Sequence, residues 1–236
     1  KNLKNIELVG LAIHIGSQLQ SLSPFEEAFK RLEKILTTLV SENHKIETID
    51  LGGGLGIDYS QDIVLDILEY NKLVKKYFSS FDCNIIFEPG RRIVGNAGIL
   101  IAQVICVKPG NKKQFIVLDT AMNDLLRPSL YGAIHEIIPV AQNRQQSPKA
   151  LADIVGPICE TGDTFATGVK LTNVSEGDLI AINSAGAYGA VMSSFYNSRP
   201  LIAEVMVKDD NFEIVRKKLD ISTLLNYEST PNWFKV

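Results

Sequence analysis

The chain has 236 residues, of which 45% are apolar and 22% charged, a composition typical of a globular protein with a sizeable core. The net charge of −3 argues against a nucleic-acid or membrane-surface protein, and no apolar run reaches membrane-spanning length. Three cysteines without a CxxC pair, and an amino-terminal KNLK that is unlike a signal peptide, indicate a reducing, cytoplasmic setting.

The first part of the chain, residues 1–93, follows a strand–loop–helix rhythm that predicts three parallel strands with two intervening helices. The strands are expected at residues 8–13, 46–51 and 84–87. The first helix should begin after Ser23 as N-cap, with Pro24 at the first helical position and Glu26 completing a capping box. The second helix is expected at residues 62–78.

The second part, residues 94–236, has short β-rich runs between turn residues and no long helical period, which predicts an antiparallel β-domain. The runs lie at residues 99–107, 114–119, 179–182 and 201–207. A βα barrel needs eight strands, so three cannot close one. The first part is therefore either a small open sheet or the end of a barrel that begins earlier, and the unpaired edges of an open sheet favour the second interpretation.

The first two predicted strands end in residues suited to ligand binding, and parallel α/β folds bind ligands at such ends. His14 and Ser17 in HIGSQ offer a flat ring and a hydroxyl, although a lone histidine is more often a core residue. Gly52, Gly53 and Gly54 expose backbone N–H groups that could cradle a phosphate. A tight turn is the plain alternative, and the spacing does not match a dinucleotide-binding fingerprint.

The third predicted strand ends in Glu88, within the sequence EPGRR. A carboxylate that leaves a buried strand needs a partner. Arg91 or Arg92 could supply it, and a protonated ring nitrogen of a ligand is the alternative.

The β-rich part contains three further clusters of polar side chains. Arg127 and Tyr131 could grip a carboxylate, although a surface arginine and a packed tyrosine would look the same. Cys159 and Glu160 share the glycine-punctuated loop GPICETGD, where a chance cysteine is the alternative. Tyr188 lies between small residues in a turn. Together with the strand ends, these groups match what pyridoxal phosphate needs from a protein.

The segments HIGSQ, IDLGGGLGI, EPGR, RPSLYGA.H, GPICE..D and GAYG, in this order, closely resemble the meso-diaminopimelate decarboxylase family of the alanine racemase/ornithine decarboxylase-like fold group. The resemblance extends from Gly10 to about Leu224. It implies that residues 1–93 are the last three βα units of a pyridoxal-phosphate-binding TIM-type (β/α)8 barrel. Residues 94–236 would form a β-sandwich or Greek-key-like domain.

The resemblance also implies roles at the cofactor. His14 would stack on the pyridine ring and assist catalysis, and Glu88 would keep the ring nitrogen protonated. The phosphate would be held by Ser17, Gly52, Gly53 and Gly54. Gly90, Arg91 and Tyr188 would complete the cofactor site.

For the substrate, the resemblance implies contacts from Arg91, Arg127, Tyr131, Glu160 and Tyr188. Cys159 would be the catalytic proton donor. In this family the loop with Cys159 and Glu160 reaches the partner's site in a homodimer. The implied reaction is decarboxylation of meso-2,6-diaminopimelate to L-lysine and CO2, the last step of lysine biosynthesis.

One family feature is missing. The family anchors its cofactor through a Schiff-base lysine in a YA.KAN-type motif, which this sequence lacks. We therefore expect the chain to correspond to the C-terminal part of such an enzyme and to have little or no activity alone.

Two alternatives stay open. Another decarboxylase of the group could act on ornithine, arginine or carboxynorspermidine. Members selective for amines tend to have Asp after the cysteine and lack an arginine like Arg127, whereas this chain has Glu160. A non-catalytic regulatory relative is the other alternative, although such a lineage should also have lost residues such as Cys159 or Glu88.

Overall fold

The computed structural model describes residues 4–60, 64–145 and 148–234. The chain divides into two compact units, Lys1–Gly98 and Ile99–Val236, and the division falls a few residues after the expected 93/94 boundary. Among the described residues, no helix has the length and apolar character needed to cross a bilayer.

The first unit contains a three-stranded parallel sheet with the order β1-β2-β3. Its strands are β1 (Gly10–Ala12), β2 (Thr48–Asp50) and β3 (Asn84–Ile86). Helices α1 (Ser23–Ser41) and α2 (Ile67–Phe78) connect them, and a short α3 (Gly90–Val94) and a 3-10 turn (Gly95–Ala97) follow. Three parallel strands with two intervening helices are therefore present as predicted, although each strand is shorter than expected.

The two long helices of this unit pack through aromatic side chains. Phe29 of α1 lies 5.2 Å from Phe78 and 5.9 Å from Tyr70 of α2, measured between ring centroids in edge-on geometry. Phe25 and Phe29 are fully buried. Full burial of one such side chain contributes about 1.5–3 kcal/mol, so this cluster fixes the helices on one another and on the sheet.

The beginnings of both helices differ from the prediction. Ser23 is already helical, because the Glu26 N–H donates to the Leu22 carbonyl at 2.9 Å, and no side chain caps the end. Pro24 lies in the first turn as expected. Helix α2 begins at Ile67, where the Asp66 side chain accepts from Leu68 N, and the expected start at Asp62 lies outside the described residues.

The second unit is built on a six-stranded sheet with the order β6-β9-β4-β5-β7-β8. The strands are β4 (Leu100–Lys108), β5 (Gln114–Leu118), β6 (Ile137–Pro139), β7 (Lys149–Val155), β8 (Thr164–Thr172) and β9 (Leu179–Ile182). A separate hairpin pairs β10 (Glu204–Lys208) with β11 (Asn211–Arg216). The helices are α4 (Arg127–Tyr131), α5 (Gln142–Gln145) and α6 (Ile221–Leu225).

The prediction of a purely antiparallel domain is wrong at one position, because β5 and β7 pair in parallel. The chain between them passes through α4, β6 and α5, and this crossover returns β7 in the same direction as β5. The sheet is therefore mixed, and its edge strands β6 and β8 also contact each other. Strands β6, β7, β8 and β11 were not predicted, while the run at residues 201–207 becomes a bridge at Leu201 and the strand β10.

Candidate active site

Backbone hydrogen bonds bring the ends of the three parallel strands together. Beyond the strands themselves, Ile13 N donates to Asp50 O at 2.9 Å, Leu51 N to Ile86 O at 3.0 Å, and Glu88 N to Gly52 O at 2.8 Å. The loops that follow the strands therefore begin at a common edge of the sheet, as the parallel arrangement predicts.

Each of the three consecutive glycines has a neighbour that a side chain would strike. A Cβ on Gly52 would lie 2.3 Å from Ile13 O, on Gly53 2.1 Å from Glu88 O, and on Gly54 2.3 Å from Gly16 O. Gly52 and Gly54 also have positive φ, +66° and +86°. A tight turn needs only one or two glycines. The close approach of neighbouring backbone oxygens explains why all three positions are glycine.

The same loop presents backbone N–H groups. Gly52 N donates to Asp50 Oδ1 at 2.8 Å. Within the described ranges, Gly53 N and Gly54 N donate to no protein acceptor. Alternation of positive and negative φ turns successive N–H groups to one side, and such a concavity binds anions. The loop is therefore suited to a phosphate.

The loop after β1 is fixed against the glycine loop. Leu19 N donates to Gly54 O at 2.8 Å, and Gly56 N donates to Leu19 O at 2.9 Å. The Gln18 side chain donates to Ile57 O at 2.6 Å and accepts from Ile57 N at 3.2 Å. His14 and Ser17 thus belong to a segment that these hydrogen bonds hold against the glycine loop, which is the candidate phosphate site.

Glu88 does not pair with the neighbouring arginines. Arg91 donates to Ser17 Oγ at 3.1 Å and to the Tyr59 hydroxyl, and Arg92 donates to Gly56 O at 3.1 Å. In the part of the chain that the structure describes, the exposed Glu88 carboxylate has no hydrogen-bond or ion-pair partner. The simple ion-pair alternative is therefore wrong, and the carboxylate is available to a ligand.

The remaining cofactor candidates of the first unit lie beside this loop. The exposed His14 is adjacent to the glycines, since a Cβ on Gly52 would lie 3.2 Å from its Nδ1. Gly90 is exposed at the first position of α3. The lysines are placed elsewhere: Lys30 and Lys34 are on α1, and none of this unit's described lysines follows the carboxyl end of a strand.

In the second unit, the loop GPICETGD connects β7 to β8 and is organised by the buried Asp163. Asp163 Oδ2 accepts from Ile158 N at 2.8 Å, and Oδ1 accepts from Met122 N at 2.7 Å. Gly156 N donates to Asp163 O at 3.0 Å, which closes the base of the loop. The tip, with Cys159 and Glu160, is exposed.

Glu160 is held by a tyrosine from a later segment. The Tyr196 hydroxyl donates to Glu160 Oε2 at 3.2 Å, and Gly162 N donates to Oε1 at 3.2 Å. The hydrogen bond to the Glu160 carboxylate, the charge of that carboxylate and the nearby Cys159 raise the pKa of Tyr196. Tyr196 therefore remains a hydrogen-bond donor at neutral pH.

Helix α4 lies next to the same loop. Its Ser129 hydroxyl donates to Gly162 O at 2.5 Å. Arg127, at the start of the helix, is buried and its Nη1 lies 2.9 Å from His135 Nε2. Tyr131, at the end, is 66% exposed. The structure thus links the helix with Arg127 and Tyr131 to the loop with Cys159 and Glu160.

Tyr188 has an unusual backbone conformation. Its φ is +57°, in the left-handed region that non-glycine residues seldom adopt, and its side chain is about half exposed. The following Gly189 is tightly placed, because a Cβ there would lie 2.4 Å from Ala185 O. Such a conformation is often found at functional sites.

Three residues of these loops were not assigned roles from the sequence. Asp163 and His135 lie inside the recognised segments GPICE..D and RPSLYGA.H. The sequence therefore singled out both positions but did not indicate their roles. Tyr196 lies in SSFYN, outside every recognised segment. Only the fold brings its hydroxyl to Glu160, more than thirty residues away in sequence.

The first unit has the features of an α/β protein that binds a phosphate-bearing cofactor at the ends of its parallel strands. A sequence profile described as "Pyridoxal-dependent decarboxylase, C-terminal sheet domain" matches residues 25–186. The chain therefore belongs to the pyridoxal-dependent decarboxylase family.

Several relatives are named diaminopimelate decarboxylase. That of Zymomonas mobilis is 46% identical over 97% of this chain and 54% of its own length, and that of Aquifex aeolicus is 45% identical over 92% and 51%. A crystal structure of the Helicobacter pylori enzyme complexed with L-lysine superimposes with a TM-score of 0.87 and 38% identity, over 93% of this chain and 54% of that one. The chain spans about half the length of the curated relatives it matches.

Proposed function

We propose that this chain contributes to the pyridoxal-phosphate-dependent decarboxylation of meso-2,6-diaminopimelate to L-lysine and CO2, a carboxy-lyase reaction. In this proposal β1, β2 and β3 are the strands of the last three βα units of a (β/α)8 barrel. The observation that carries it is the arrangement at the ends of these strands. There the N–H groups of Gly53 and Gly54 and the Glu88 carboxylate have no hydrogen-bond partner among the described residues. The similarity to enzymes named for this reaction supports it.

The described residues fit the cofactor by their chemistry. Gly53 and Gly54 would donate N–H groups to the phosphate, with Ser17 beside them and Gly52 shaping the loop. Glu88 would accept a hydrogen bond from the protonated ring nitrogen, because its carboxylate has no protein partner. His14 would stack on the ring, and Gly90 and Arg91 would border it. When bound, pyridoxal phosphate supplies an electron sink for the electron pair left behind by CO2.

The second unit would recognise the substrate. Arg127 presents a guanidinium suited to a carboxylate, and Tyr131 on the same helix adds a hydroxyl. Glu160 would accept from the distal ammonium group, held in place by Tyr196. Arg91 and Tyr188 would contact both cofactor and substrate. A distal centre with both a carboxylate and an amine, as in diaminopimelate, uses all these groups.

Cys159 would replace the lost carboxylate with a proton. Departure of CO2 leaves an electron pair on the reacting carbon, and the Cys159 Sγ would deliver a proton there. The exposed loop tip suits this role. We further propose a cytoplasmic homodimer in which Cys159 and Glu160 serve the partner's site.

The test is CO2 release by the protein at its natural length, reconstituted with pyridoxal phosphate. We expect release from meso-diaminopimelate, and far less from ornithine, arginine or carboxynorspermidine. Glu88→Gln should bind the cofactor but lose most of the rate, and Cys159→Ala should lower kcat more than affinity. The 236-residue chain alone should be nearly inactive.

The alternatives predict different results. Preference for ornithine, arginine or carboxynorspermidine would favour a decarboxylase of the same group with another substrate. Cofactor binding without turnover of any of these amino acids would favour a non-catalytic relative. Lack of cofactor binding at natural length would contradict the proposal altogether.

A further inference from the structure

His135 lies buried between a guanidinium and a backbone carbonyl. Its Nε2 is 2.9 Å from Arg127 Nη1, and its Nδ1 is 2.8 Å from Asn183 O. A guanidinium can only donate hydrogen bonds and a carbonyl can only accept them. The ring must therefore accept at Nε2 and donate from Nδ1, which defines one neutral tautomer.

The position of this ring is set by the sheet. His135 precedes β6 and Asn183 follows β9, and these strands pair with Ile137 opposite Ile182. Beyond the strands, Asn183 N donates to Glu136 O at 2.9 Å, and the Asn183 side chain donates to Glu136 Oε2 at 2.9 Å. The carbonyl that orients His135 therefore belongs to a continuous hydrogen-bonded ladder.

Arg127 starts a helix of one turn and is 8% exposed. The guanidinium of such a long side chain is positioned accurately only when other groups hydrogen-bond to it. His135 supplies an acceptor at a fixed point, and unlike a carboxylate it does so without neutralising the guanidinium.

We propose that His135 is a positioning residue for Arg127, fixing its guanidinium to receive the distal carboxylate of the substrate. This inference rests on the proposed function, because it assigns Arg127 that ligand. His135 itself touches neither substrate nor cofactor in this role. It acts as a neutral acceptor whose tautomer is imposed by Asn183.

Two substitutions separate the acceptor from the rest of the ring. His135→Gln keeps a polar group with the reach of Nε2, whereas His135→Asn keeps one with the reach of Nδ1 only. We expect His135→Asn at natural length to raise the KM for meso-diaminopimelate about tenfold or more with kcat within about twofold, as loss of a hydrogen bond to a charged group predicts. His135→Gln should recover most of this loss. Thermal unfolding should be similar for the two variants.

A second measurement does not depend on activity. Side-chain 15N NMR of the wild-type protein should identify His135 as the neutral Nδ1–H tautomer near pH 7, with His135→Gln used to assign its signal. An Nε2–H tautomer or a doubly protonated ring would overturn the inference. If His135→Asn does not fold, this NMR measurement alone tests the inference.

The two proposals can fail separately. An active wild type with an unchanged KM in His135→Asn overturns the positioning role alone. A wild-type protein at natural length that releases no CO2 from diaminopimelate overturns the proposed function and this inference together.

Discussion

Gly156 and Asp163 lie so close that a Cβ on Gly156 would be 2.2 Å from Asp163 Oδ2 and 2.5 Å from its Cγ. The same carboxylate accepts from Ile158 N and Met122 N, so it cannot move away without losing both hydrogen bonds. The pair forms the base of the loop that carries Cys159. A glycine that looks like an ordinary turn residue is therefore required by packing.

Gly156→Ala should destabilise the protein by about 1–3 kcal/mol, the usual range for overpacking a tight site. It should also lower activity, because the loop with Cys159 must shift. Urea unfolding and CO2 release at natural length measure the two effects. Gly162→Ala is the matched control in the same loop, since the nearest atom to its Cβ would be 3.7 Å away. Equal unfolding midpoints for the two variants would contradict the proposed packing role.

The sequence was most informative where a local rule is strong. The three glycines predicted a loop with exposed backbone N–H groups, and parallel strands predicted the shared edge on which Gly52 and Glu88 lie. The parallel pairing of β5 with β7 could not be read in this way, because strand direction depends on a crossover of some thirty residues rather than on local alternation. The contact of Tyr196 with Glu160 was missed for the same reason, since tertiary packing creates it.

Gly53→Ala tests the glycine loop. A Cβ there would lie 2.1 Å from the Glu88 carbonyl oxygen, which is backbone and cannot rotate away. We expect a loss of stability of about 1–3 kcal/mol and a weaker affinity for pyridoxal phosphate, measured by cofactor absorbance titration at natural length. At Gly90 a Cβ would meet nothing within 4 Å, so Gly90→Ala should leave stability unchanged. The packing interpretation fails if both variants unfold at the same urea concentration.

Glu26 tests an electrostatic link between α1 and α2. Its carboxylate accepts from Lys76 Nζ at 2.7 Å and from the Tyr77 hydroxyl at 3.1 Å, and these hydrogen bonds and the charge of Lys76 lower the pKa of Glu26. Because the folded-state pKa lies below the unfolded value, the stabilisation is present at pH 7 and is lost as the pH falls below about 4.5 through the folded pKa.

Glu26→Gln should therefore lower the urea midpoint at pH 7 and have a smaller effect near pH 3. High salt should reduce the difference, since the pair is partly exposed. Glu27→Gln is the control on the same helix, because no hydrogen bond or ion pair holds Glu27 among the described residues. A pH-independent effect of Glu26→Gln would show that the helices gain nothing from this charge.

Tyr196→Phe tests whether the tyrosine positions Glu160. Loss of the 3.2 Å hydrogen bond to Glu160 Oε2 should raise the KM for meso-diaminopimelate by up to about fivefold, with kcat nearly unchanged. Tyr227→Phe, at a tyrosine that is 86% exposed, is the control and should change neither constant.

The contact between Tyr196 and Glu160 can also be tested without activity, by NMR titration of the tyrosine ring. Because the Glu160 hydrogen bond and charge raise the pKa of Tyr196, Glu160→Gln should bring it down towards the ordinary value, and an unchanged titration would mean that the two side chains do not meet in solution.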